Sequence, residues 1–144
     1  MDLPVVFAID RAGIVGNDGE THQGTFDISY LRFIPNMVLF APRDNKTLEL
    51  GLDFAYSLDK PCAIRYPRGA YTPVAYESTP FELGKSELLK EGSTNKLFIG
   101  YGASVGRACE TEKLHDEDIA ILDLRFVKPL DTQTLTDLAS KYND

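Results

Sequence analysis

Cysteine and histidine are scarce in this sequence, each occurring twice in 144 residues. Cys62 and Cys109 show no metal-ligand spacing and His22 and His115 stand far apart, so no zinc site is expected. Cys62 lies in an apolar run and Cys109 in an expected helix, which reads both as buried thiols of a cytosolic protein. Positive charge is also in deficit, with 15 Lys and Arg against 22 Asp and Glu, a net charge of -7. That balance repels phosphate backbones and argues against nucleic-acid binding. It does not forbid one cationic cleft. No apolar run approaches the ~20 residues that cross a bilayer. The opening Met1-Asp2-Leu3-Pro4 has no basic leader before the apolar run at 5–9. The chain therefore reads as soluble and cytoplasmic, with no membrane partner. What remains is ordinary for a folded protein. Hydrophobic residues make up 43% and charged residues 26%, which excludes disorder. The length suits one domain or two incomplete ones.

The pattern along the chain is α/β. Residues 3–9 form a short β-branched apolar run that predicts a strand buried on both faces. Residues 10–24 carry glycines at 13, 16, 19 and 24. That density predicts an irregular loop, and a loop of this length points to function. A short helix is expected within 26–34, capped by Asp27. A second buried strand is expected at 37–41. A helix capped by Asp44 follows to about Leu58, with Leu48, Leu52, Ala55 and Tyr56 as its core stripe. A third strand is expected at 63–66, completing a parallel βαβ unit. Prolines and charges then replace periodicity between 70 and 94. Strand, helix, strand and helix resume at 97–101, 104–115, 119–124 and 131–141, with Asp131 as the last cap. The expected division is 1–72, a connection at 73–94, and 95–144. The first strand has no partner before it, and the second part has only two strands for a parallel sheet. Both ends therefore read as truncations.

Three constellations bear on chemistry. The loop 10–24 follows the carboxyl end of a strand, where open α/β sheets bind ligands. It offers Arg11, Asp18 and His22, a histidine being able to titrate near neutral pH. The segment Ile64-Arg65-Tyr66-Pro67-Arg68-Gly69 ends another strand. Arg68 should enter the same crevice as Arg11, and two guanidinium groups there suit a phosphate or carboxylate. Arg65 is expected to pair with a local carboxylate instead. The third is Gly100-Tyr101-Gly102-Ala103-Ser104-Val105-Gly106, with Asp123 about 20 residues on. It approaches a dinucleotide fingerprint, but its glycine spacing is off by one. A tight strand-to-helix turn explains it without a ligand, and a nucleotide-binding module stays a minor alternative.

Four stretches together carry a resemblance: LPVVFAIDRAGIVGNDGETHQG from Leu3, FDISYLRFIPNMVLFAPRD from Phe26, AIRYPRG from Ala63, and LDLRFVKPLD from Leu122. In order and spacing, over essentially the whole chain, they resemble the 1-deoxy-D-xylulose-5-phosphate synthases, a transketolase-like family. Asn17 departs from the alanine frequent there, with no expected consequence. The resemblance implies a parallel-sheet transketolase-like fold. This chain would hold the later part of the pyrimidine-binding domain and the opening of the transketolase C-terminal domain. It implies a thiamine-diphosphate and Mg2+ enzyme that condenses pyruvate with D-glyceraldehyde 3-phosphate and releases carbon dioxide. That reaction feeds isoprenoid, thiamine and pyridoxal phosphate synthesis, and the parent would be a homodimer. The diphosphate and Mg2+ site would lie upstream, leaving no cofactor or metal ligand assigned here and the fragment itself inactive. By motif, Arg11 and Arg68 resemble the residues that hold the substrate phosphate. Asp18 and His22 resemble the catalytic residues near the reacting carbon, His22 as proton donor or acceptor. Rival readings are transketolase itself or a 2-oxoacid dehydrogenase β subunit. The arginine pair with Thr21-His22-Gln23-Gly24 argues against the latter.

Overall fold

The computed structural model describes residues 3–143. Met1, Asp2 and Asp144 lie outside the described residues, and with them the start that was read for a leader. The parallel βαβ unit of the first half is present. β2 (Val38–Phe40), α2 (Asn45–Ser57) and β3 (Cys62–Arg65) follow in sequence, with β2 and β3 parallel. β3 pairs in parallel on its other side with β1 (Val6–Ile9). A helix α1 (Asp27–Phe33) precedes β2. β2 and β3 are buried along their whole length, as apolar runs flanked by helices require.

Three details of the first half differ from expectation. β1 is not buried. It forms the sheet edge in the order β1-β3-β2-β7, and Phe7 is 46% exposed. An apolar run alone cannot distinguish an edge strand from a central one. Asp27 is not the cap of α1. Phe26 takes that position without a capping side chain, and Asp27 is buried as the first helical residue. The stripe of α2 is also rotated. Thr47, Gly51 and Ala55 face inward with Leu48, Leu50, Phe54 and Leu58 packed nearby, while Leu52 and Tyr56 face out. Gly51 explains the rotation, because a Cβ there would sit 3.0 Å from the Phe40 ring. The expected Asp44 cap is present as a capping box, with Thr47 N–H donating to its side chain at 2.8 Å.

The second half supplies β5 (Leu97–Gly100), α3 (Ser104–Lys113), β6 (Ala120–Asp123) and α4 (Thr132–Lys141). β5 and β6 are parallel, and Asp131 caps α4 through the Thr134 amide at 3.2 Å. One further strand falls in the segment read chiefly as a connection, where short strands had room, and a second was not anticipated. β4 (Glu87–Lys90) arises between residues 73 and 94 and pairs antiparallel with β6. β7 (Phe126–Lys128) leaves the second half and joins the first sheet antiparallel to β2. The first sheet therefore borrows a strand from the second half of the chain. Phe81 and Phe126 pack with Phe40 and Phe54 in one aromatic cluster, ring centroids 5.3–5.8 Å apart, a spacing favourable to aromatic pairs. Cys62 and Cys109 are buried free thiols. No helix among the described residues is long and apolar enough to cross a membrane.

Candidate active site

β1 and β3 are parallel neighbours in the register Ile9 opposite Arg65, so the segments leaving them emerge side by side. The Ala12 amide donates to the Tyr66 carbonyl at 3.0 Å, and the Tyr66 amide to that of Ile9 at 3.0 Å. Between these bonds the backbone turns sharply at Arg11, whose φ is 53°. That left-handed conformation is sparsely populated for a residue with a Cβ, and where it occurs it is held by surrounding structure.

Here the clamp is the base of the loop. Gly13 and Gly24 exchange backbone hydrogen bonds of 3.2 and 2.9 Å. A Cβ at Gly24 would lie 2.4 Å from the Arg11 carbonyl oxygen, so only glycine fits. Arg65 secures the same point from the sheet. It donates to the Gly24 carbonyl at 2.8 Å and to the Asp27 carboxylate at 3.3 Å. The expected local carboxylate partner of Arg65 is thus Asp27. Tyr30 also donates to Asp27 at 2.9 Å, and that hydrogen bond raises the Tyr30 hydroxyl above its ordinary pKa.

Asp18 ends a single 3-10 turn, Gly16–Asp18, at the middle of the loop. Its side chain is only 6% exposed and engages both arginines. Arg11 Nε donates to one carboxylate oxygen at 2.6 Å, and an Arg68 terminal nitrogen pairs with the other. Arg11, Asp18 and Arg68 therefore converge. The structure sets the two guanidinium groups around a carboxylate, a trigonal anion that either fork can bind. His22 stands apart from that contact. It is exposed, and Nδ1 lies 2.9 Å from the Thr21 hydroxyl.

Gln23 was quoted within its motif but given no role by sequence reasoning. Its side-chain carbonyl accepts from the Val15 amide at 2.5 Å, and its amide donates to the carbonyls of Val15 at 2.9 Å and Gly19 at 2.6 Å. The available signal was an amide side chain, donor and acceptor together, closing a loop with little regular structure of its own.

The turn at 100–106 needs no ligand. A Cβ at Gly100 would lie 2.7 Å from Val105, one at Gly102 2.9 Å from the Ala41 side chain, and one at Gly106 2.8 Å from Thr72. Asp123 is buried and accepts from Arg43 at 3.0 Å, which occupies the carboxylate that a dinucleotide ribose would require. A cavity of about 470 Å³ separates this turn from the base of the loop, with Ala12, Gly24 and Arg65 on one wall and Tyr101 and Ser104 on the other.

The family described as "Transketolase, pyrimidine binding domain" matches residues 1–73, and "Transketolase, C-terminal domain" matches residues 84–144. The chain is 72% identical over 144 residues to a protein of Aliarcobacter butzleri named 1-deoxy-D-xylulose-5-phosphate synthase, covering 100% of this chain and 24% of that one. It is 61% identical to the protein of the same name from Sulfurimonas denitrificans, covering 99% and 24%. The chain thus spans about a quarter of the length of these relatives. Among solved structures, a split-gene transketolase described as an inactive β4 tetramer superposes with a TM-score of 0.84 at 27% identity, covering 97% of this chain and 46% of that one. Transketolase from Leishmania mexicana superposes at 0.78 with 19% identity, covering 96% and 21%, which shows the fold alone.

Proposed function

The chain belongs to the transketolase family through its pyrimidine-binding domain, and from that premise we propose that it is a portion of a 1-deoxy-D-xylulose-5-phosphate synthase. The whole enzyme joins pyruvate to D-glyceraldehyde 3-phosphate, releasing carbon dioxide and forming 1-deoxy-D-xylulose 5-phosphate. The single observation that carries this reading is the convergence of Arg11 and Arg68 on one anion, the Asp18 carboxylate. Of the two substrates only glyceraldehyde 3-phosphate carries a phosphate, so the pair is assigned to the acceptor. A 2-oxoacid dehydrogenase has no phosphorylated acceptor to fill such a site. Identity of up to 72% with proteins of the synthase name supports the same choice over transketolase.

In this reading Arg11 and Arg68 bind the acceptor phosphate through forked, charge-assisted bonds. Asp18, which the resemblance places near the reacting carbon, also holds the two guanidinium groups at a fixed spacing before substrate arrives. His22, on the open rim, exchanges a proton with a substrate hydroxyl or carbonyl oxygen. Residues 1–72 are assigned to the pyrimidine-binding domain and 95–144 to the opening of the C-terminal domain, with 73–94 between them lending β4 to the second sheet. Thiamine diphosphate and Mg2+ are cofactors of the whole enzyme. Among the described residues no group of three or more His, Cys, Asp or Glu is placed to hold a metal ion. By the family likeness, the diphosphate and its Mg2+ are assigned to the remainder of the polypeptide. A homodimeric, cytoplasmic enzyme supplying isoprenoid and thiamine synthesis completes the proposal.

The test is an assay of the full-length protein that contains this segment, with thiamine diphosphate and Mg2+ present. Carbon dioxide release from pyruvate should depend on glyceraldehyde 3-phosphate and match the five-carbon product mole for mole. Release indifferent to the acceptor, or ketol transfer between sugar phosphates instead, would overturn the proposal.

A further inference from the structure

Apart from the Asp18 side chain itself, the turn Gly16–Asp18 has little to hold it. Gly16–Asp18 is one 3-10 turn with no capping side chain and no buried residue. Among the described residues its backbone closure is a single bond, from the Asp18 amide to the Val15 carbonyl at 3.1 Å. The glycines on either side, Gly16 and Gly19, enlarge the number of conformations open to it. Yet the Asp18 carboxylate must sit between two arginines that reach it from separate strand ends.

We propose that Gln23 is the positioning residue that fixes this turn, and so sets the spacing of Arg11 and Arg68. Its side chain brackets the turn. Val15 immediately precedes it and Gly19 immediately follows it, and Gln23 bonds to both, taking the amide and carbonyl of the first and the carbonyl of the second. One planar amide thereby bonds three backbone groups, sharing the Val15 carbonyl with the Asp18 amide. Gln23 is itself held from behind. The next residue, Gly24, is bonded in both directions to Gly13 and accepts from Arg65. A rigid path therefore runs from the buried end of β3 through Arg65, Gly24 and Gln23 to the turn of Asp18. Neither aspartate nor serine at position 23 could bridge both ends, because the reach of a two-carbon stem is needed.

The inference rests on the reading of this loop as the acceptor phosphate site. A loop that visits other conformations binds in proportion to its competent fraction. Gln23→Met keeps the length of the side chain and removes its three bonds. In the full-length enzyme the quantity to measure is the phosphate preference, the ratio of kcat/KM for glyceraldehyde 3-phosphate to that for unphosphorylated glyceraldehyde. If the competent loop falls to about a tenth of the population, that ratio falls about tenfold, with the melting temperature unchanged. Gln23→Asn, one methylene shorter, loses one side of the bracket and should show a smaller fall in the same ratio. It also serves where the methionine variant does not fold. An unchanged ratio in the folded variants overturns the proposal, whatever happens to kcat, since a merely structural glutamine would affect both acceptors alike. Arg68→Ala run beside them separates the two ideas. If it lowers the ratio and the Gln23 variants do not, Gln23 is not a positioning residue. If none lowers the ratio, the phosphate reading fails as well.

Discussion

At the residue scale the site is built from side chains whose partners are mostly local. Arg11 and Asp18 are seven residues apart, and Gln23 reaches back eight residues to Val15. That Arg11 and Arg68 would approach one another was legible because both follow the carboxyl ends of parallel strands, whereas their shared pairing with Asp18 was not. The partner of Arg65 was legible in kind but not in identity, since nothing in the sequence separates Asp27 as a cap from Asp27 as a counterion. Gln23 was illegible because its role depends on where the carbonyls of Val15 and Gly19 come to rest. His22 offers the sharpest test at this scale. Its ring makes one exposed contact, to Thr21, so its removal should cost the fold almost nothing. A positioned proton-transfer group is worth ~10²–10⁴-fold in rate. His22→Ala in the full-length enzyme should lower kcat within that range and leave cofactor affinity and melting temperature nearly unchanged. A normal kcat with a lowered melting temperature would reduce His22 to a residue that steadies its own loop.

At the element scale, periodicity located the helices and the central strands, and missed what depends on distant pairing. α2 was found with its cap, but its buried face was misassigned because Gly51 marks the point of closest approach to Phe40. β4 and β7 are short strands whose partners are remote in sequence, so neither carries the local period that betrays a longer strand. Their placement follows from buried charge. Arg43, fully buried between β2 and α2, donates to Asp123 at the end of β6 at 3.0 Å, to Glu87 in β4, and to the Glu77 carbonyl at 3.0 Å. Arg125 reaches Glu87 from the other side and donates to the Pro80 carbonyl at 3.1 Å. Burial pushes the Glu87 carboxyl up, but hydrogen bonds from Arg43 and Thr79 outweigh it and hold the group below its ordinary value. At Asp123 burial prevails and the carboxyl is raised. Removing Arg43 leaves Glu87 with Arg125 and Thr79 but takes from buried Asp123 its nearest cation, and losing one partner of a buried pair costs about 3–5 kcal/mol. Arg43→Met should lower the unfolding free energy of the protein by that amount in denaturant titration. A change below about 1 kcal/mol would mean that the Arg43 ion pairs do not contribute to holding the two sheets together.

At the scale of the whole molecule, two small sheets share one connection and one borrowed strand. β7 ties the second half of the chain to β2, while the segments leaving the carboxyl ends of β1 and β3 carry the candidate site. The α/β class and the transketolase-like architecture were legible from strand and helix order together with the four quoted stretches. The exposed edge at β1 was not, because burial of a strand is a property of its neighbours. The central claim is that this architecture brings Arg11 and Arg68 together to bind the phosphate of an acceptor. Arg68 lies half-exposed just beyond β3, with one terminal nitrogen on the Asp18 carboxylate. A charge-assisted contact of this kind is worth roughly 1.5–3 kcal/mol, or about 10- to 100-fold in affinity. The most direct measurement is steady-state kinetics of Arg68→Ala in the full-length enzyme, with pyruvate as donor and glyceraldehyde 3-phosphate or glyceraldehyde as acceptor. The KM for glyceraldehyde 3-phosphate should rise by about 10- to 100-fold, while the constants for pyruvate and for glyceraldehyde stay nearly unchanged. Equal rises for donor and acceptor, or no difference between the two acceptors, would contradict the account and leave Arg68 a structural partner of Asp18.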